Sequence, residues 1–169
     1  VATVIRNAAS MEMTGIELEL MYQVTEAWDL MVTYGYLEAE YKDYLADLTG
    51  DGVITDNSGL IPRNTPENTF GFTTSYTAQL GNGELKGRVS YRFRDEMNSD
   101  SSNNPLGDLD SIENVNATLS YSVDNYSITL WGRNLTDERE QRWATIGGLT
   151  SRGWWNEPST VGVTFNVSY

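Results

Sequence analysis

The chain has 169 residues, enough for one domain with a sizeable core, and its 11 basic and 24 acidic side chains give a formal net charge of −13. That charge repels a phosphate backbone and argues against nucleic acid as a partner. With no cysteine and no histidine, a disulfide framework, a thiol nucleophile, a Ser/His/Asp triad and a zinc site of the usual ligands are excluded, and no catalysis is expected.

The opening "VATVIRNAAS" lacks the charged start and apolar middle of a signal peptide, and no apolar run reaches the roughly 18 residues of a transmembrane helix. Val1 in place of an initiating methionine points to a piece of a longer protein.

Period-two alternation then recurs along the chain. "GIELELMYQV" sets Ile16, Leu18, Leu20, Tyr22 and Val24 against Glu17, Glu19, Met21 and Gln23, and "WDLMVTYGYLEAEY" repeats the pattern with Leu30, Val32, Tyr34 and Tyr36. "TFGFTTSYTAQL" places Phe70, Phe72, Thr74, Tyr76, Ala78 and Leu80 on one face. "LKGRVSYRFR" places Leu85, Gly87, Val89, Tyr91 and Phe93 opposite Lys86, Arg88, Ser90, Arg92 and Arg94. Val115 to Val123, Tyr126 to Leu130 and the closing "VGVTFNVSY" complete the set. No segment carries a helical period. The expected fold is all-β: about seven long antiparallel strands in up-and-down order.

The connections alternate too. "TEAW" (25–28), "GNGE" (81–84) and "DN" (124–125) read as tight hairpin turns whose Gly, Asn and Asp residues tolerate positive φ. Between them lie polar stretches over 42–66, 95–111 and 137–159, punctuated by Gly and Pro. Antiparallel strands put all the short turns at one end and all the long loops at the other, the asymmetry of an outer-membrane barrel. A soluble β-sandwich alternates as well. Three features favour the membrane. The runs are about 10 to 14 residues, against about 5 or 6 in soluble strands. The second face is small, amide or charged, as beside a lumen, and Tyr and Phe gather towards the run ends, where headgroups would lie.

The stretches "NAASMEMTGIELEL" (7–20), "IPRNTPENTFGFTTSY" (61–76), "LWGRNLTDERE" (130–140) and "EPSTVGVTFNVSY" (157–169), in that order, resemble the C-terminal barrel region of TonB-dependent outer-membrane receptors. The resemblance implies a barrel of about 22 strands around an N-terminal plug, in the outer membrane of a Gram-negative bacterium. It implies import of a scarce small ligand with energy delivered by the TonB complex through that plug. Residues 1–169 would then supply the last strands of the barrel domain, with the plug outside the chain. The terminal alternation resembles the signal read by the outer-membrane insertion machinery, with Val163, Phe165, Val167 and Tyr169 as its apolar positions; the same residues would face membrane lipid.

Candidate sites fall in three places. Lys86, Arg88, Arg92 and Arg94 make a lumen-facing basic ladder that could take an anionic ligand or, the favoured reading, pair with acidic groups of plug and wall. The third long loop carries Trp143, Trp154 and Trp155 beside Arg142 and Arg152, a set that stacks on a ligand's ring or packs loop against loop. In "DLTGDGVITDNS" (47–58), Asp47, Thr49 and Asp51 have the 1, 3, 5 spacing of a calcium loop, but Ser58 stands where a bidentate glutamate belongs. Calcium is thus a partial match, with a solvated acidic loop as its alternative. The sequon matches at 116–118, 125–127, 134–136 and 166–168 lie on strands or beside tight turns and are read as chance. Two other functions fit less of the chain: a secreted soluble β-sheet module binding carbohydrate, and a plug-free porin. Siderophore, cobalamin, nickel chelate and oligosaccharide are not separated by these residues.

Overall fold

The computed structural model describes residues 10–139, 141–147 and 150–168. The strands are β1 (Ser10–Thr25), β2 (Trp28–Asp43), β3 (Leu45–Ala46), β4 (Thr55–Asp56), β5 (Asn68–Leu80), β6 (Gly83–Arg94), β7 (Met97–Asn98), β8 (Asp108–Leu109), β9 (Ile112–Val123), β10 (Tyr126–Arg133), β11 (Gln141–Gly147), β12 (Thr150–Trp155) and β13 (Thr160–Val167). The seven long ones form a single antiparallel sheet in the order β1-β2-β5-β6-β9-β10-β13, each next to its predecessor in the chain apart from the loop strands. The up-and-down order expected from alternating short and long connections is the order found. The long connections are not bare loops, however: β3–β4, β7–β8 and β11–β12 each add a small two-stranded ribbon above the sheet.

Register carries the alternation across the sheet, because directly opposed residues share a face. One row runs Tyr22, Leu30, Thr74, Val89, Ala117, Gly132, Val161, and another runs Leu20, Val32, Phe72, Tyr91, Val115. The seven apolar sets therefore merge into one surface, and that surface is bare: Leu18 is 61% and Val163 62% exposed. Among the described residues the buried apolar side chains are Tyr44, Leu109, Ile112 and Ala144, all at the loop end. The sheet itself has no hydrophobic core. Rings mark both margins of the apolar surface: Tyr34, Tyr36, Phe70, Tyr91 and Phe93 towards the loops, and Tyr22, Trp28, Tyr76, Tyr121 and Tyr126 towards the turns. Along β2 the eight steps from Trp28 to Tyr36 cover about 26 Å before tilt, close to the band of about 25 Å of an outer-membrane barrel.

β1 and β2 run past that band, and the pattern inverts where they leave it. Below, Ile16 opposes Tyr36 on the apolar side; above, Met11 opposes Tyr41 and Met13 opposes Ala39 on the inner side, while Glu12 opposes Glu40 outside. The outer surface there is charged, with Lys42 bridging to Glu12 at 3.4 Å and to Glu40. The inversion is why β1 begins five residues before the alternation of "GIELELMYQV". The turns also differ among themselves. Gly81 (φ 61) and Asp124 (φ 49) adopt the left-handed conformation expected of them. The turn at Glu26–Ala27 does not: it closes through a register shift between Gln23 and Thr25, with the Ala27 amide donating to Thr25 Oγ1 at 3.2 Å.

Candidate functional site

On the inner face, β6 holds Lys86, Arg88, Arg92 and Arg94 in one column. Their cross-strand neighbours are short: Thr77 and Ser120 flank Lys86, Ser75 and Thr118 flank Arg88, and Gly71 and Asn114 flank Arg92. Beside such short neighbours Lys86 and Arg88 are exposed. Glu19 lies in the row of Arg92 and Glu17 in that of Arg94, three strands away across Thr33 and Gly71 or Gly35 and Thr69. At about 4.8 Å per strand, the acidic and basic columns are about 14 Å apart. Among the described residues no carboxylate lies within ion-pair distance of Lys86 or Arg88. Arg94 is tied to the second loop, its Nη1 donating to the Asp95 carbonyl at 2.9 Å and Nη2 to that of Asp110 at 3.0 Å.

Where this column meets the loops there is a cavity of about 930 Å³ whose lining includes Arg92, Arg94, Asn114, Asn116, Arg133, Asn134, Arg142, Trp155 and the acidic Glu157. Four arginines thus line one cavity in a chain of net charge −13. The structure brings together Arg92, Arg94 and Trp155 of the residues singled out from sequence, with Arg142 beside them. Arg88 lies apart, against Met21, Gln23 and Asp29 nearer the turns. Arg152 and Trp154 do not line the cavity; Trp154 is 70% exposed. The side chain of Trp143 and all of Tyr169 lie outside the described residues. The contribution of Arg133, Asn114, Asn116 and Asn134 was missed; its one sequence signal is the "RNLTD" turn, with two asparagines at alternate positions of the neighbouring strand. Arg133 stands 5.3 Å over the ring of Trp131, on the same face.

The three long loops interlock above the cavity. The Ile61 amide donates to Asn103 Oδ1 at 2.9 Å, Asn103 Nδ2 returns a bond to the Ile61 carbonyl at 2.8 Å, and the Asn64 amide reaches the Asn98 carbonyl at 2.8 Å. The buried Ser99 hydroxyl bonds the Gly107 carbonyl at 2.9 Å and that of Ala144, in β11, at 3.2 Å. These bonds, of which the Ser99 pair is buried, tie the loops to one another.

The calcium-spaced residues Asp47 and Asp51 bond amides of their own turn. Asp47 Oδ1 accepts from the Gly50 amide at 2.6 Å and Oδ2 from that of Gly52 at 2.8 Å, while Asp51 accepts from the Val53 amide at 2.8 Å. The Gly52 amide foremost, then that of Gly50 and the Thr49 hydroxyl, hold the Asp47 carboxyl below its ordinary value against an opposing desolvation. Among the described residues no three His, Cys, Asp or Glu side chains converge as a metal-ligand group.

A sheet with one bare apolar face edged by rings, one polar face with a column of cations, short turns at one end and laced loops at the other is a piece of the wall of a membrane β-barrel. The chain belongs to the TonB dependent receptor-like, beta-barrel family, whose pattern matches residues 1–135. Solved structures of receptors share its fold. The ferric yersiniabactin uptake receptor FyuA from Yersinia pestis matches over 96% of this chain and 24% of its own, at a TM-score of 0.80 and 18% identity. The siderophore receptor PiuA from Acinetobacter baumannii matches over 94% and 22%, at 0.77 and 22% identity, and BauA, the ferric preacinetobactin receptor of the same organism, over 96% and 23%, at 0.70 and 17% identity. The chain spans about a quarter of the length of these receptors.

Proposed function

We propose that the chain is the C-terminal part of the barrel of a TonB-dependent importer in a Gram-negative outer membrane. The apolar face meets membrane lipid, the polar face lines the lumen around a plug, and the laced loops with the cavity beneath them help capture a scarce small ligand. Energy reaches that ligand from the TonB complex through the plug. Val163, Phe165, Val167 and Tyr169 serve the insertion machinery as an assembly signal as well as facing lipid.

The observation that carries this reading is the convergence of Arg92, Arg94, Arg133 and Arg142 on one loop-end cavity in an acidic chain. Guanidinium groups bind oxyanions with paired hydrogen bonds, and such a group of cations favours an anionic ligand or chelate over a neutral one. Plug carboxylates are the other anions within reach of the column lower down, at Lys86 and Arg88. A soluble carbohydrate-binding module is disfavoured because its sheet would need a covered apolar face, and the buried apolar side chains here lie at the loop end.

The full-length receptor, purified in micelles, should be titrated with a panel of ferric siderophores, cobalamin, nickel chelates and oligosaccharides, alongside the double variant Arg92→Gln, Arg142→Gln. Binding of an anionic member that falls at least about tenfold in the variant supports the reading. Equal binding by both proteins removes the cavity from it.

A further inference from the structure

The "RNLTD" turn after β10 contains Asn134, which is 5% exposed and has φ 49. A left-handed backbone by itself calls for glycine or asparagine. What asparagine adds is a side chain, and every polar atom of it is engaged. Oδ1 accepts from Asn114 Nδ2 at 3.1 Å, the Glu138 amide at 3.1 Å and the Thr136 hydroxyl at 3.3 Å. Nδ2 donates to the carbonyls of Glu138 and Glu157, both at 3.0 Å. The backbone amide of Asn134 donates to Asn116 Oδ1 at 3.0 Å.

Glu138 and Glu157 are the two ends of the third loop, one leaving β10 and the other leading into β13. The side-chain amide therefore closes the neck of the loop and, through Asn114, with the backbone amide on Asn116, fastens that neck to the inner face of β9. Asn156 Nδ2 adds a second tie to the Glu138 carbonyl at 3.0 Å, and Asp137 accepts the Ser159 amide at 3.0 Å. The hairpin β11–β12 rises from this neck and carries Arg142 and Trp155 into the wall of the cavity opposite Arg92 and Arg94.

We propose that Asn134 is a positioning residue: its side chain clamps the neck of the third loop and so sets where Arg142 and Trp155 stand over the lumen. The consequence for ligand capture rests on the import reading above; the clamp does not. Without it, the chain between β10 and β13 is held at a wider mouth and the hairpin samples more positions.

The test uses the full-length receptor in micelles, with native cysteines removed and spin labels at Arg152→Cys in β12 and Glu26→Cys in the opposite turn, read by pulsed dipolar spectroscopy. Asn134→Gly keeps the left-handed backbone and removes the clamp, whereas Asn134→Asp keeps the size and loses the donor to both carbonyls. Both should broaden the label distance distribution about twofold or more, with the barrel still heat-modifiable on gels. Asn114→Ala, which spares the two carbonyl bonds, should leave the distribution narrow. In the Asn134→Gly background, cysteines at 138 and 157 joined by a short bismaleimide should restore the narrow peak, with Glu26 and Arg152 labelled orthogonally. Unchanged widths in both Asn134 variants, or a tether that restores nothing, overturn the proposal. Loss of the folded barrel in both variants also overturns it, since Asn134 would then be needed for the wall rather than for the loop. Ligand titration of the same proteins is a separate reading, so a failure of the import hypothesis leaves the distance result intact.

Discussion

The indole of Trp131 lies flat over Gly162, its direct partner across the β10–β13 pair, and donates from Nε1 to Thr164 Oγ1 at 3.1 Å. A Cβ built on Gly162 would sit 2.6 Å from Cε2 of that ring. Glycine is therefore required by its neighbour and not by its own backbone angles. Gly162→Ala should destabilise the assembled receptor by about 1–3 kcal/mol through overpacking, and the cost should shrink in a Trp131→Leu background, where the ring is gone. Thermal unfolding of the four proteins of this cycle in micelles measures it; additive losses would mean that the ring and the glycine act separately.

The second prediction concerns the lacing of the first and second loops. Asn103 has φ 50 and exchanges two hydrogen bonds with Ile61. Asn103→Gly keeps the backbone and removes both bonds, each worth about 0.5–1.5 kcal/mol. Trypsin should then cut at Arg63 several times faster in the intact receptor, with barrel melting unchanged. An unchanged cleavage rate would show that the Asn64–Asn98 bond holds the loops unaided.

Acid should loosen the turn at Asp47. Its carboxyl titrates below the ordinary value because the folded loop offers the charged form the amides of Gly52 and Gly50. A lowered folded pKa gives stability that is present above the unfolded value, about 3.9, and is lost as pH falls through the folded one. Exchange protection of the Gly50 and Gly52 amides should persist at about pH 6, weaken below about pH 4 and be lost once the pH has fallen through the folded value, and should be absent throughout in Asp47→Ala. Protection in that variant at neutral pH would place the turn's stability elsewhere.

Two rings separate assembly from stability. Tyr126 stacks on Phe165 with centroids 6.2 Å apart, within the finished wall. Tyr126→Ala should lower the melting temperature, by at most the burial and stacking of one ring, about 1.5–3 kcal/mol, and leave insertion intact. Tyr169→Ala should do the reverse, reducing the receptor that reaches the outer membrane while the assembled fraction melts normally. Identical behaviour of the two variants would remove Tyr169 from the assembly signal.

Strand number, order and the sharing of one face by the apolar side chains were legible because period two is imposed by the backbone and the two faces carry different side chains. From Tyr22 to Val161 each residue of a row meets the same surroundings, so seven stretches tell the same story. The pattern failed where the surroundings change. Met11 and Met13 turn inward once β1 has passed the apolar band, so the alternation continues with inverted sign and no longer reads as the same strand. The ribbon β11–β12 was hidden among polar residues, where facing has no consistent hydrophobic sign; Gly147 and Gly148 in the middle of "QRWATIGGLTSRGWW" are the turn signal that could have exposed it. The cavity was half legible. Arg92 and Arg94 share a strand and a parity and Arg133 ends a neighbouring strand, but Arg142 comes from β11 in the third loop, and no local pattern encodes where that loop folds back.

The central claim is that the two faces of the sheet meet different solvents, and adjacent residues of β9 test it most directly. Leu119 is on the apolar face between Gly87 and Leu130, and Ser120, on the polar face, is bonded to Thr129 Oγ1 at 2.9 Å. An arginine facing lipid near the midplane costs about 2–4 kcal/mol, whereas one facing a lumen costs far less. The measurement is the amount of heat-modifiable receptor in outer-membrane fractions of cells expressing the full-length protein with Leu119→Arg or Ser120→Arg. The account predicts a strong loss for Leu119→Arg and near-normal assembly for Ser120→Arg; equal levels, or a greater loss for Ser120→Arg, would contradict it.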